Sequence, residues 1–311
     1  MKNIKFTIIT FYQFKRIKEI DHIQKTLKDL CLFHKIKGTI ILAEEGVNGT
    51  VAGLNEPINL LQRKLIELDF INLDQKISFC TFMPFNRMKI KIKNEIVTFD
   101  VKNLDVERLA GKHISSSKWN DLMDDKETIL IDVRNDFEVQ IGSFEGSLNP
   151  NTKNFSEFKE YIKKNIHIQK NNNIAMFCTG GIRCEKASAY MVKKGYKNVF
   201  QLQGGILKYL EDTPKKKSKW KGECFVFDNR VSIRNEMKSG TYEICHACRN
   251  PISLLDRKSK DYEKGISCPK CINIISKIKH LNLKERNKQI EIAKKKGLYN
   301  PFIKYTPSDF S

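Results

Sequence analysis

The sequence predicts an α/β protein made of two α/β modules and a small cysteine-rich tail. Three observations carry this. Strand-like and helix-like stretches follow one another over residues 1–110 in the order βαββαβ. Over residues 115–214, short apolar runs alternate with helical patterns, as parallel strands covered on both faces do. Over residues 220–311, four cysteines fall into two C-x-x-C pairs. A chain of 311 residues fits two or three such modules.

Residues 5–14 read as the first strand rather than a cleavable leader, because Gln13, Lys15 and Arg16 interrupt the apolar run and no small-residue cleavage site follows. Residues 19–33 form an amphipathic helix with Ile20, Ile23, Leu27 and Leu30 on one stripe. Two strands follow at 38–43 and 48–52. The turn dipeptide Asn48-Gly49 leaves the register of this hairpin open. A helix at 59–68 and one or two strands within 76–98 complete the βαββαβ order of a ferredoxin-like sandwich, a frequent binding platform that by itself names no ligand.

In the second module the run Thr128-Ile129-Leu130-Ile131-Asp132-Val133 is a buried strand. A helix at 155–162, a strand at 173–177, a helix at 184–194 stopped by Gly195 and a strand at 198–202 give βαβ units. Pro214-Lys215-Lys216-Lys217-Ser218-Lys219 reads as an exposed basic linker, and residues 284–296 of the tail as a charged helix.

Between the strand at 173–177 and the helix at 184–194 lies Cys178-Thr179-Gly180-Gly181-Ile182-Arg183. A thiol at the carboxyl end of a buried parallel strand stands where open α/β sheets place ligands. Paired glycines let the backbone curl until its N–H groups converge as an anion-binding nest. The next helix adds the positive end of its dipole. With the Arg183 guanidinium, these donors are expected to hold Cys178 as thiolate, the nucleophilic form. Cys184 reads as a packing residue.

On Asp132-Val133-Arg134-Asn135-Asp136-Phe137-Glu138, the stretch 141–149, the loop 178–183 and Leu202-Gln203-Gly204-Gly205-Ile206, the chain resembles the rhodanese superfamily. The resemblance implies a persulfide-forming Cys178 in a short loop closing at Arg183, with Asp132, Arg134 and Glu138 as a structural cluster beneath it. With Ala43-Glu44-Glu45-Gly46-Val47-Asn48-Gly49-Thr50-Val51-Ala52-Gly53 and the tail cysteines added, nearly the whole chain resembles the bacterial tRNA uridine hydroxylase family. That resemblance implies an oxidoreductase catalysing oxygen-dependent 5-hydroxylation of the wobble uridine, with molecular oxygen as co-substrate, tRNA as partner and Cys178 as catalytic residue. The residues themselves predict only a reactive thiolate. They leave open a persulfide sulfurtransferase acting on small-molecule or protein thiols.

Cys245-His246-Ala247-Cys248 and Cys268-Pro269-Lys270-Cys271, nineteen residues apart, have the spacing of a tetrahedral structural zinc site. His246, inside the first pair, reads as solvent-facing. No flavin, haem or iron motif is visible. The formal charge of +20 favours an anionic partner. Heavy use of Lys, Asn and Ile, as at 170–174, offers mutational bias as an equal explanation. The 284–296 helix and the alternating Lys89, Lys91 and Lys93 are the candidate RNA surfaces. No apolar run approaches the ~18 residues of a membrane helix. Nine cysteines and a start that reads as a strand rather than a secretory leader make the cytoplasm the expected location.

Overall fold

A computed structural model describes residues 4–164, 168–298 and 301–302. The N-terminal module comprises β1 (Phe6–Phe14), α1 (Ile20–Phe33), β2 (Lys37–Ala43), β3 (Gly46–Gly53), α2 (Asn55–Glu67), β4 (Asp74–Cys80) and β5 (Met88–Ile92). Its sheet runs β4-β1-β3-β2-β5. The first four strands have the antiparallel order of a ferredoxin-like sandwich, and β5 extends the sheet parallel to β2.

Period-two alternation divides the work of this sheet. Ile9 and Phe11 of β1, Ile40 and Leu42 of β2, and Val47 and Val51 of β3 pack with Leu27 of α1 and Leu61 of α2. The intervening residues, among them Thr10, Thr39, Asn48 and Thr50, face a cleft on the other side. The structure also fixes the hairpin register. Ala43 pairs with Gly46, so the turn is Glu44-Glu45 and Asn48-Gly49 lies inside β3. Gly49 is there for space: a Cβ would stand 2.6 Å from the Phe11 ring. α2 begins at Asn55, earlier than its apolar stripe suggests, because Pro57 fits a first turn whose N–H groups lack helical partners anyway.

The central module contains α3 (Val106–Leu109), β6 (Lys112–Ile114), α4 (Ser116–Asp124), β7 (Thr128–Asp132), α5 (Asp136–Val139), β8 (Gly142–Phe144), α6 (Phe158–Lys164), β9 (Asn173–Phe177), α7 (Ile182–Lys193), β10 (Asn198–Leu202) and α8 (Gly205–Asp212). Its four-stranded sheet is parallel throughout, in the order β6-β10-β9-β7. β9 is buried on both faces: Ile174 and Met176 enter one core cluster, Ala175 and Phe177 the other. α7 starts at Ile182, two residues before its predicted start, which brings its N-terminus against the loop.

Past the exposed lysines 215–217, β11 (Trp220–Gly222) pairs antiparallel with β8. Trp220, Cys224, Val226 and Ile233 join the central core, and Trp220 meets Phe144 edge to face at 5.1 Å. The tail is thus packed onto the central sheet from its first strand. It continues through β12 (Cys224–Phe225), β13 (Ser232–Ile233), β14 (Glu243–Ile244), β15 (Pro251–Ile252), α9 (Leu254–Lys258) and α10 (Lys277–Lys295). α10 is longer than predicted because Ser276 caps it, its side chain accepting the Lys279 N–H. Among the described residues no helix is long and apolar enough to cross a membrane.

Candidate functional site

β9 ends at Phe177 and delivers Cys178, fully buried, into the loop ahead of α7. The loop's outward carbonyls are taken by α8: the Ile206 N–H donates to the Cys178 carbonyl and the Leu207 N–H to that of Thr179, both at 3.0 Å. Gly205 permits this approach, since a Cβ there would lie 2.6 Å from the Cys178 carbonyl oxygen. With its carbonyls held outward, the loop turns N–H groups inward, and the Gly181 N–H donates to Cys178 Sγ at 3.2 Å. The two glycines have different tasks. Gly181 adopts φ +102°, whereas an added Cβ at Gly180 would meet open space.

Arg183 departs from its expected position. Its terminal nitrogens donate to the two carboxylate oxygens of Glu138, at 2.6 and 2.8 Å, and one also donates to Thr179 Oγ1 at 3.1 Å. The guanidinium is therefore a buried brace, and it acts on Cys178 through its field rather than by contact. Burial pushes the Cys178 thiol up. The Cys184 thiol, the Arg183 charge and the N–H groups of Cys184 and Gly181 outweigh burial and bring it down to about 6. Cys184 is thus a donor to the loop sulfur and not merely packing. Burial and the Cys178 sulfur push its own thiol well above the ordinary value, so it keeps the proton it donates. Beneath the loop, fully buried Arg134 is held by Asp132 at 2.6 and 2.9 Å and by the Gly142 carbonyl at 2.6 Å, the structural cluster the sequence suggests.

The loop faces a cleft of about 740 Å³ walled by the open face of the N-terminal sheet, by Thr179, Gly180, Ile182 and Arg183 of the loop, and by the tail segment after β12 around Phe227. N-terminal residues reach across to the loop. Lys76 Nζ donates to the Gly180 carbonyl at 2.8 Å, and Tyr12 donates to Glu185 of α7 at 3.1 Å. Lys186 is paired with Glu45 at 2.7 Å and with Glu95. From the tail, Arg230 donates to Ser78 Oγ at 2.9 Å while gripping Asp228. Sequence reasoning missed Tyr12, Lys76 and Arg230, none of which sits in a motif. The Gly204-Gly205 pair before an apolar run was the signal for α8.

Cys245, Cys248, Cys268 and Cys271 converge with all four sulfurs within 4.8 Å of one another. Sulfur–sulfur separations of 3.7 Å for Cys248–Cys268 and Cys268–Cys271 and 3.9 Å for Cys245–Cys271 match the ~3.8 Å edge of a tetrahedron with metal–sulfur bonds of ~2.3 Å. The four residues can hold a metal such as zinc, and His246 points to solvent beside them.

A parallel sheet whose inner strand delivers a cysteine into a short N–H-lined loop, braced by a buried arginine–glutamate pair, defines a rhodanese-type domain. Residues 115–212 match the model of the rhodanese-like domain, and residues 6–96 that of the UPF0176 acylphosphatase-like domain. In this order they are the architecture of the UPF0176 family, and the chain carries it. Among solved structures, a rhodanese-related protein from Thermoplasma volcanium is 26% identical over 33% of this chain and 95% of its own, with a TM-score of 0.28. A rhodanese-like domain protein from Staphylococcus aureus is 24% identical over 32% of this chain and 90% of its own, with a TM-score of 0.27.

Proposed function

We propose that the protein is a tRNA-modifying oxidoreductase that hydroxylates C5 of the wobble uridine, with Cys178 as catalytic nucleophile and molecular oxygen as co-substrate. One oxygen atom enters the base. The other leaves as water at the expense of two electrons from an external reductant. The observation that carries the reading is the cleft over the Cys178 loop, closed on its other sides by a second α/β module and the tail segment around Phe227. A small thiol acceptor requires no such enclosure. A nucleotide extruded from an RNA loop needs a pocket lined by hydroxyl and amide groups that address its edges, and Thr10, Thr39, Asn48, Thr50 and Ser78 supply them. The depressed thiol of Cys178 provides a nucleophile that is ionised at neutral pH.

The test is nucleoside analysis of tRNA from cells lacking the gene and from cells complemented with Cys178→Ala. Loss of 5-hydroxyuridine derivatives in both supports the proposal. An unchanged profile in the deletion ends it, and persulfide transfer to thiol acceptors by the purified protein would then identify a sulfurtransferase.

A further inference from the structure

A second groove, of about 750 Å³, runs between the edge of the N-terminal sheet and the cysteine-rich tail. It shares Thr39, Phe85, Val226, Phe227 and Asp228 with the cleft over Cys178, so the two adjoin along these residues. The cations lining it are Arg87 and Lys89 from the sheet side and Arg249 and Arg286 from the tail. Among the described residues none of these four is paired with a carboxylate. Asp228, the one acid in the lining, is already held by Arg230 at 2.6 Å.

The charge is concentrated rather than spread. Burial, then Arg87, Lys91 and Arg249 lower the Lys89 ammonium, so cations from both sides act on one another. Arg286 lies over the Phe302 ring at 5.1 Å, and its Nε is buried with no hydrogen-bond partner. Holding like charges together without counter-ions is unfavourable unless a ligand supplies the negative charge. Where groove and cleft meet stands Phe227, 62% exposed, with the Arg183 guanidinium 6.0 Å from its ring. An exposed ring beside a cationic track is the arrangement that binds single-stranded nucleic acid, with bases on the ring and phosphates on the track.

We propose that the groove of Arg87, Lys89, Arg249 and Arg286 carries the sugar–phosphate backbone adjoining the nucleotide presented to Cys178, and that Phe227 stacks on a base at the junction. The proposal rests on the RNA substrate proposed above and adds the path by which that RNA lies on the protein.

The experiment measures binding of unfractionated tRNA and of a uridine-containing single-stranded oligonucleotide by fluorescence anisotropy across a salt series. It uses the full chain, the triple variant Lys89→Gln/Arg249→Gln/Arg286→Gln, Phe227→Ala, and a control that removes the same charge from an exposed face, Lys18→Gln/Lys25→Gln/Lys28→Gln. Metal content and circular dichroism report folding of each variant. The groove variant is expected to bind at least about tenfold more weakly at about 0.1 M salt, with the slope of log K against log salt shallower by about 2, as loss of three single-strand phosphate contacts requires. Phe227→Ala should weaken binding roughly fivefold to a hundredfold with the slope unchanged. Equal weakening by groove and control variants, or a groove variant that binds and is hydroxylated like the wild type, overturns the groove and leaves the hydroxylase reading standing. Groove-dependent RNA binding by a protein that hydroxylates no tRNA supports the groove and removes that reading.

Discussion

Glu138 takes both terminal nitrogens of Arg183, at 2.6 and 2.8 Å, in a buried pair beside the Cys178 loop. Glu138 also accepts the Thr179 hydroxyl at 3.2 Å and caps α5 through the Asn135 N–H. One carboxylate therefore fixes the loop's second residue, its closing arginine and the helix beside it. A lysine in place of Arg183 offers no planar fork and could not reproduce the two-pronged contact.

Removing one partner of this pair leaves the other buried and uncompensated. Arg183→Gln is expected to cost about 3–5 kcal/mol in urea unfolding and to raise the Cys178 thiol. The double variant Glu138→Gln/Arg183→Gln should recover much of the stability, since neither charge is then orphaned. Burial would raise the Glu138 carboxyl, and the Arg183 charge and hydrogen bonds overcome it and hold the group below its usual range. A depressed carboxyl contributes stability that is complete above its unfolded value, ~4.3, and lost as pH falls through the folded one. The wild type should lose this increment on acidification, and the double variant should not. Parallel acid-unfolding curves for the two proteins would refute the assignment.

The thiolate itself is open to titration. Ultraviolet thiolate absorbance, taken as the difference between wild type and Cys178→Ser, should show a midpoint at about 6. Cys184→Ala removes the largest of the lowering contacts and should move that midpoint up, while Cys184→Ser, which keeps an O–H donor, should move it less. The folded pKa lies below the unfolded value, so ionisation of Cys178 favours the folded state increasingly as pH rises from about 6 and fully above ~8.5. Cys178→Ser should flatten stability over that window. A midpoint at the ordinary thiol value would leave the loop without its electrostatic role.

The loop's two glycines separate conformational need from space. Gly181→Ala would place a Cβ 2.8 Å from the Tyr12 hydroxyl at φ +102°, whereas Gly180→Ala meets nothing. Gly181→Ala is expected to cost about 1–3 kcal/mol and to raise the Cys178 midpoint by moving the N–H that donates to it. Gly180→Ala should stay near wild type in both. Equal effects from the two variants, in thermal unfolding and thiol titration, would contradict this geometry.

Features encoded locally were legible in the sequence. β9 and β10 have the predicted bounds, and β9 shows why: a strand buried on both faces fills both with apolar side chains, Ile174 through Phe177. The ferredoxin-like order followed from periodicity in the same way. What escaped was set by tertiary packing. Asn48-Gly49 lies in a strand because the Phe11 ring occupies the space over Gly49. Arg183 turns to Glu138, forty-five residues away, which spacing could not reveal. Tyr12 and Lys76 reach the loop only because the N-terminal sheet presents its polar face to it.

The cysteine quartet links the tail to the proposed RNA track. Leu283 of α10 packs into the cluster formed with Cys245, Cys268 and Cys271, and α10 carries Arg286. Arg249 directly follows Cys248 with φ +67°, a conformation that a closed knuckle holds in place. Roughly one zinc per chain is expected by metal analysis, as a single four-thiolate site implies. Cys245→Ser, or removal of the metal by a chelator, should loosen α10 and displace both arginines, weakening RNA binding. The Cys178 titration should stay unchanged, because the loop is braced by Glu138 and α8 rather than by the tail knuckles. Zinc loss that shifts the Cys178 midpoint would show that the tail supports the sulfur loop as well. A protein as isolated with no bound metal would remove the site.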